Sequence, residues 1–457
     1  MLELSAKRMA ALVAAGEISA TELVEAELDQ IARINRGLNA VVELLTSAAK
    51  ESAARADRQV AAGGRIGPLH GVPFSVKDSM DVAGVRTTAG TLGRREAEAA
   101  ERDATVVARL RAAGAIPIAK TNLPDLLFSF ETDNLIFGRT NNPYDVTRTP
   151  GGSSGGESAL IAACGSPLGL GSDCLGSVRI PAAFCGIASI KPTSGRMPRT
   201  GHVPPAGLWF ESLWNIGPMA RYVEDLQLAM ELLAFPDRED FRAMPIPLVE
   251  SRDLDGLRVA FFTDNGFARC AEPVATAVRN CAAFLEEAGA QVEERRPPGL
   301  ENAYDLELSI LGADGARGID QYLEAAGSER VHPLQTAFLT HLRSRRVQAQ
   351  ELSRLWSRWD EYRAGLHNFF ERYDVVLSPV YTQPALEHGH SAIVANFEGF
   401  SYTMAWNLAG APAATVRCAE SMNLPINVQI IARPWEDMTA LAVASAIEEE
   451  FGGWRAP

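Results

Sequence analysis

Residues 149–196 read TPGGSSGGESALIAACGSPLGLGSDCLGSVRIPAAFCGIASIKPTSGR. Apart from three cysteines, only Glu157, Asp173, Arg179, Lys191 and Arg196 ionise in this stretch. A flexible linker would be polar and without apolar runs. Here ESALIAACG, SPLGLGSD and IPAAFCGIASI call for burial, so the stretch is read as an interior site built largely from backbone. The flanking sequence supplies the body around it. The helical pattern TVVARLRAA opened by Asp103 ends at Gly114 before the apolar strand Ala115–Ala119. Leu257–Thr263 is a second strand, followed by a helix over Ala275–Ala288 and a third strand over Ala290–Glu293. This β-α-β rhythm predicts an α/β fold: a single domain with a central, mixed, twisted sheet covered by helices on both sides.

Composition is consistent with that body and excludes several classes. The chain has 457 residues, 47% hydrophobic and 22% charged, which rules out intrinsic disorder, collagen and coiled coil. A chain of this length buries roughly three quarters of the surface its unfolded form exposes. The net charge of -14 makes nucleic acid an unsuitable partner. The six cysteines form no C-x-x-C and no zinc spacing, which fits a reducing compartment and no metal. Glu3 interrupts the positive charge a secretion signal needs, and no apolar run is long enough to span a membrane. A cytoplasmic protein is expected. Ser19 with Glu22 three residues later is a capping box ahead of an amphipathic helix. Pro236–Asp255, rich in proline and mixed charge, is the best candidate for a surface crossing.

Gly151–Gly156 admits three readings. A phosphate cradle would need Gly-Lys-Ser/Thr at its end, and Glu157 repels phosphate. A G-x-S-x-G nucleophile elbow would need a strand before it, which Asn141–Pro150 does not resemble, and one of His202, His332, His341, His367, His388 or His390 as base. The third reading takes Ser153 together with Ser177, 24 residues on, and Lys77 upstream. The segments GVPFSVKD (71–78), PGGSSGGESALIA (150–162), SPLGLGSDCLGSVRIPAAFCGIASIKPT (166–193), GPMARYVEDL (217–226) and NLPINVQIIARP (423–434) resemble the amidase signature family of serine hydrolases. ETDNLIFGRTNNPYD (131–145) looks closest to the fatty-acid-amide-hydrolase-like branch.

The resemblance implies one amidase signature domain over residues 1–457. It would comprise a helical N-terminal stretch (residues 1–65), a signature core (66–235), a variable substrate-shaping segment (236–370) and a C-terminal core return (371–457). It implies Ser177 as the acylating nucleophile, Ser153 on a cis peptide as the bridging serine, and Lys77 as the base. Backbone N–H groups of Cys174, Leu175, Gly176 and Ser177 would form the oxyanion hole. Leu175 departs from the family's Gly-Gly before the serine. It demands a negative φ there or strains the loop. Splitting an amide requires these components: a nucleophile, a base that returns its proton to the leaving nitrogen, and donors for the oxyanion. Lys77 serves as base only when neutral, which requires desolvation; the bland alternative is a surface lysine paired with Asp78. A Cys174 thiol nucleophile has no histidine in its motif to activate it.

Leu127, Phe128, Phe130 and Thr132, with Leu208, Trp209, Phe210 and Trp214, are the candidates for an apolar substrate pocket, although aromatic clusters are more often core. The implied partner is a small amide, ester or carbamate, with no cofactor, no metal and a homodimer left open. The rival readings are the glutaminase A subunit of a tRNA-dependent amidotransferase and a scaffold that kept the fold but lost turnover.

Overall fold

Ser19 opens its helix as the pattern requires. Its hydroxyl accepts from the Glu22 N–H at 3.0 Å and the Glu22 carboxylate accepts from the Ser19 N–H at 2.8 Å, and the helix Ala20–Leu38 runs from there. At Asp103 the local chemistry differs from the sequence reading. Ala104 is the residue preceding helix Thr105–Ala112, and the Asp103 carboxylate instead accepts from the Ala83 N–H and pairs with Arg111. These details come from a computed structural model that describes every residue except 206–208. Leu208 therefore lies outside the described residues.

The expected strands form with ends shifted by a residue or two: 115–119 becomes Ile116–Thr121, 257–263 shortens to Arg258–Phe261 and 290–293 becomes Gln291–Glu294. In chain order they are β1 (Val41–Leu44), β2 (Pro73–Lys77), β3 (Ile116–Thr121), β4 (Leu168–Asp173), β5 (Ala188–Lys191), β6 (Asn215–Ala220), β7 (Arg258–Phe261), β8 (Gln291–Glu294), β9 (Val375–Pro379), β10 (Ala413–Ser421) and β11 (Leu424–Ala432). Among the described residues they make one 11-stranded sheet in the order β1-β3-β2-β4-β6-β5-β10-β11-β9-β7-β8. The sheet is mixed in a regular way. Neighbours are parallel across β3-β2-β4 and β9-β7-β8, and antiparallel through the centre from β4 to β9. Helices flank it, as an α/β body requires, and β2, β3, β4, β5, β6, β9 and β11 are buried along their whole length. Residues 141–150 hold no strand, which removes the nucleophile elbow's scaffold.

The parallel trio positions the site. Strands that run side by side deliver their C-terminal ends to one edge, where ligands of α/β sheets characteristically bind. That edge holds Lys77 at the end of β2 and Ser172-Asp173 at the end of β4.

Candidate active site

Lys77 is fully buried, on a strand whose neighbours Val72, Phe74 and Val76 are also fully buried. Its ammonium is not paired with Asp78. That carboxylate accepts from Lys120 at 2.9 Å and from Thr88, so the surface ion pair is excluded. Lys77 Nζ is instead ringed by serines. It lies 2.7 Å from Ser153 Oγ, 2.9 Å from Ser154 Oγ, 3.2 Å from Ser172 Oγ and 3.4 Å from Ser172 O. Burial pushes its pKa well below the ordinary lysine value, against the pull of Asp173 and Glu157. Burial alone does not single Lys77 out, because it also brings Lys191 down to about 7. What distinguishes Lys77 is the hydroxyl cage: Lys191 donates to the Pro192 carbonyl.

The serines reach Lys77 through a tight loop. The Gly152–Ser153 peptide is cis. A Cβ on Gly152 would lie 2.6 Å from the Ser129 carbonyl oxygen and 2.7 Å from the Phe130 carbonyl carbon, so only glycine admits this approach. Thr132 Oγ1 closes the loop by donating to Gly151 O at 2.8 Å and accepting from the Gly155 N–H at 3.1 Å. Thr132 therefore shapes the loop and does not line the pocket, in contrast to the sequence expectation.

Ser177 follows β4 in the turn before helix Arg179–Cys185, and its carbonyl accepts from the Ser154 N–H at 3.1 Å. Ser153 and Ser177 line one cavity, although no hydrogen bond joins their hydroxyls among the described residues. The strain anticipated at Leu175 does not arise. Leu175 keeps a negative φ, and Gly176 takes the left-handed region at +129°. One donor of the expected oxyanion hole is otherwise engaged: the Gly176 N–H donates to Asp173 Oδ1 at 2.8 Å. Among the described residues the N–H groups of Cys174, Leu175 and Ser177 have no backbone partner. Burial pushes the Cys174 thiol well above its usual pKa, which disfavours the thiolate a cysteine nucleophile needs.

Asp173 organises the loop. It accepts from the N–H groups of Gly176 and Val178, from Asn407 Nδ2 at 2.9 Å and from two Arg179 nitrogens at 3.0 and 2.9 Å. Burial would raise its pKa, but Arg179 and these hydrogen bonds outweigh burial and hold it at about 2, below the ordinary 3.8. A depressed carboxylate stabilises the fold above its unfolded pKa, and this contribution is lost as pH falls through about 2. Asp173→Ala strands a buried guanidinium. It should cost about 3–5 kcal/mol, read as a lower midpoint in urea denaturation followed by circular dichroism; an unchanged midpoint would show that the network does not hold the fold.

The cavity is lined by Leu127, Phe128, Ser129, Phe130, Ser153, Cys174, Leu175, Ser177, Trp214 and Phe338. Four pocket candidates from the sequence are thus brought together: Leu127, Phe128, Phe130 and Trp214. Phe210 stacks behind Trp214 and is core, while Trp209 packs on Trp356; neither reaches the cavity. Sequence reasoning missed Ser154, Ser172 and Phe338. Phe338 arrives on helix Pro333–Arg343, remote in sequence, with no local signal of its destination. Among the described residues no group of three or more His, Cys, Asp or Glu is placed to hold a metal ion. No helix there is long and apolar enough to cross a membrane.

Comparison with known proteins decides the family. The Amidase family profile matches residues 22–441. The chain belongs to the amidase family. This amidase is 32% identical to the glutamyl-tRNA(Gln) amidotransferase A subunit of Heliobacterium modesticaldum, over 95% of its own length and 94% of that protein. It is 34% identical to an acylamidase of Rhodococcus erythropolis, over 97% and 95% of the two chains. Its structure superimposes on a fatty acid amide hydrolase with a TM-score of 0.88 at 27% identity, covering 99% of this amidase and 85% of the other. These likenesses place it among hydrolases of amide bonds.

Proposed function

We propose that this amidase cleaves carboxylic amides through an acyl-enzyme on Ser177, with Ser153 as the proton bridge and Lys77 as the base. The observation that carries the reading is a buried lysine that, among the described residues, has no carboxylate contact and lies 2.7 Å from Ser153, which lines one cavity with Ser177. Ser177 Oγ adds to the amide carbonyl carbon, its proton passing to Ser153 as the Ser153 proton passes to Lys77. The oxyanion rests on the N–H groups of Cys174, Leu175 and Ser177. As the C–N bond breaks, the proton on Lys77 returns through Ser153 to the leaving nitrogen. Water then repeats the sequence on the acyl ester and frees the acid. The Ser153–Ser177 hydrogen bond would close with substrate present, since catalytic contacts are commonly loose in the free enzyme.

The substrate we infer is a small to medium apolar or aryl amide. The cavity lining contains Leu127, Phe128, Phe130, Leu175, Trp214 and Phe338 and no charged side chain. Such a wall suits an apolar acyl group and offers no counter-charge to a zwitterion. Esters and carbamates fit the same acyl-enzyme route. Segment 131–145 keeps the fatty-acid-amide-hydrolase-like branch as our reading of its lineage.

A second reading stands on the 32% identity with an amidotransferase A subunit over nearly the whole of both chains. In that reading the amidase releases ammonia from glutamine for a partner protein. One panel separates the two. Apolar anilides, aliphatic amides, aryl esters and carbamates are assayed beside glutamine, with ammonia as the readout for glutamine. Turnover of anilides at least about 100-fold above glutamine, by kcat/KM, is expected from the uncharged lining; the ratio corresponds to about 2.7 kcal/mol of transition-state discrimination. Preferential ammonia release from glutamine would establish the second reading. A scaffold without turnover would take no fluorophosphonate label.

A further inference from the structure

Glu157 is fully buried on helix Gly155–Ala162, directly after the serine loop. Its carboxylate is held by hydroxyls alone. Ser75 Oγ donates to one oxygen, and Thr121 Oγ1 donates to the other at 2.6 Å. Ser75 lies two residues before Lys77 on β2 and so shares its face of the strand. Thr121 is the β3 residue paired with Lys77, and Gly169 is the β4 residue paired with Ser75. A Cβ on Gly169 would lie 1.7 Å from the Glu157 carboxylate, so the sheet is hollowed to receive it. The carboxyl thus occupies a fitted seat beneath the lysine, across all three parallel strands.

The other charged or titratable groups around Lys77 are already matched. Asp173 is held by Arg179, and Asp78 by Lys120. His202 is kept neutral by burial and by Arg199, which push its pKa well below the ordinary value. Glu157 has no ion pair among the described residues. We propose that Glu157 is a positioning residue for Lys77, the buried counter-charge that governs when the lysine amine is free of its proton. The inference rests on the lysine-base reading above. Burial lifts the Glu157 carboxyl to about 7 against its two hydroxyl donors, so its charge changes near neutral pH. Ionised, it favours the ammonium form of Lys77; protonated, it releases the amine. The two groups then behave as one site sharing a proton.

The test follows the rate of Ser177 labelling by a fluorophosphonate against pH, together with kcat/KM on an anilide. Glu157→Gln should move the acid limb of both profiles to lower pH by about one unit, with the alkaline plateau kept within about twofold. Glu157→Asp keeps the charge and should leave the limb near its wild-type position. Thr121→Val removes a donor that favours the carboxylate and should move the limb the same way as Glu157→Gln, which keeps the idea testable if the glutamine variant does not fold. A lower plateau with an unmoved limb in Glu157→Gln or Thr121→Val would reduce Glu157 to a packing role and overturn the inference. Lys77→Met separates this from the reading beneath it. If an unchanged acid limb survives in Lys77→Met, the lysine base itself is wrong; if it vanishes there yet ignores Glu157, only the counter-charge fails.

Discussion

Ser177→Ala is expected to lower kcat/KM on amides, esters and carbamates alike by at least about four orders of magnitude, the scale on which loss of a nucleophile acts. The fold should survive. The Ser177 contact that ties this turn to the serine loop is its carbonyl, accepting from the Ser154 N–H, and alanine retains it. Loss of the hydroxyl then costs only about 1 kcal/mol of stability. The experiment compares urea midpoints and steady-state rates of wild type and variant, and maps a fluorophosphonate adduct by mass spectrometry. The adduct belongs on Ser177. Finding it on Ser153, or near-normal turnover by Ser177→Ala, would overturn the nucleophile assignment. Histidine variants offer no alternative route to the same result, since no described histidine hydrogen-bonds to either serine.

The second large effect concerns Lys77 and pH. A lysine whose pKa is depressed by burial is charged below that pKa and neutral above it, so activity must fall on the acid side and hold on the alkaline side. The limb should lie well below about 10.4, the ordinary lysine value. Lys77→Arg keeps a cation but cannot surrender its proton, and should lose about a thousandfold in kcat/KM. It also forces a permanent charge into a cage of three serines without a carboxylate in contact, so the variant's thermal stability must be measured beside its rate. Lys77→Ala avoids that complication. It should lose far more on an anilide than on the matched aryl ester, because amine departure needs a proton and phenolate departure barely does. An active Lys77→Arg enzyme, or equal losses on amide and ester in Lys77→Ala, would remove the lysine from the mechanism.

The sequence makes the sheet's outline readable because short apolar runs between turn residues have one economical use in an α/β body. Strands near 115–119, 257–263 and 290–293 appear within a residue or two of their predicted ends. Their limits shift because a strand ends where its neighbour stops pairing, which is non-local information. The same limitation applies at the site. Lys77, Ser153 and Ser177 stand in recognisable local motifs, and the structure gathers Lys77 with Ser153 and Ser153 with Ser177. Thr132 looks like a pocket residue beside Phe130, yet its hydroxyl bonds back to the loop. Phe338 carries no motif at all, and only the packing of its helix brings it over the serines. The role of Glu157 is visible only from the hollow at Gly169, since glycine in a strand has many possible causes.

Arg179 reaches from the turn beside Ser177 to Gln429 Oε1 at 2.7 Å, across 250 residues of chain, and to the Thr403 carbonyl on the way. During synthesis on the ribosome Ser177 therefore emerges long before the residues that tether its neighbour Arg179. At about 5–20 residues per second the interval is roughly 12–50 s. A chain that stops short of Thr403 lacks both of these Arg179 contacts. The long tether makes a fully braced turn beside Ser177 a property of the chain that has reached Gln429.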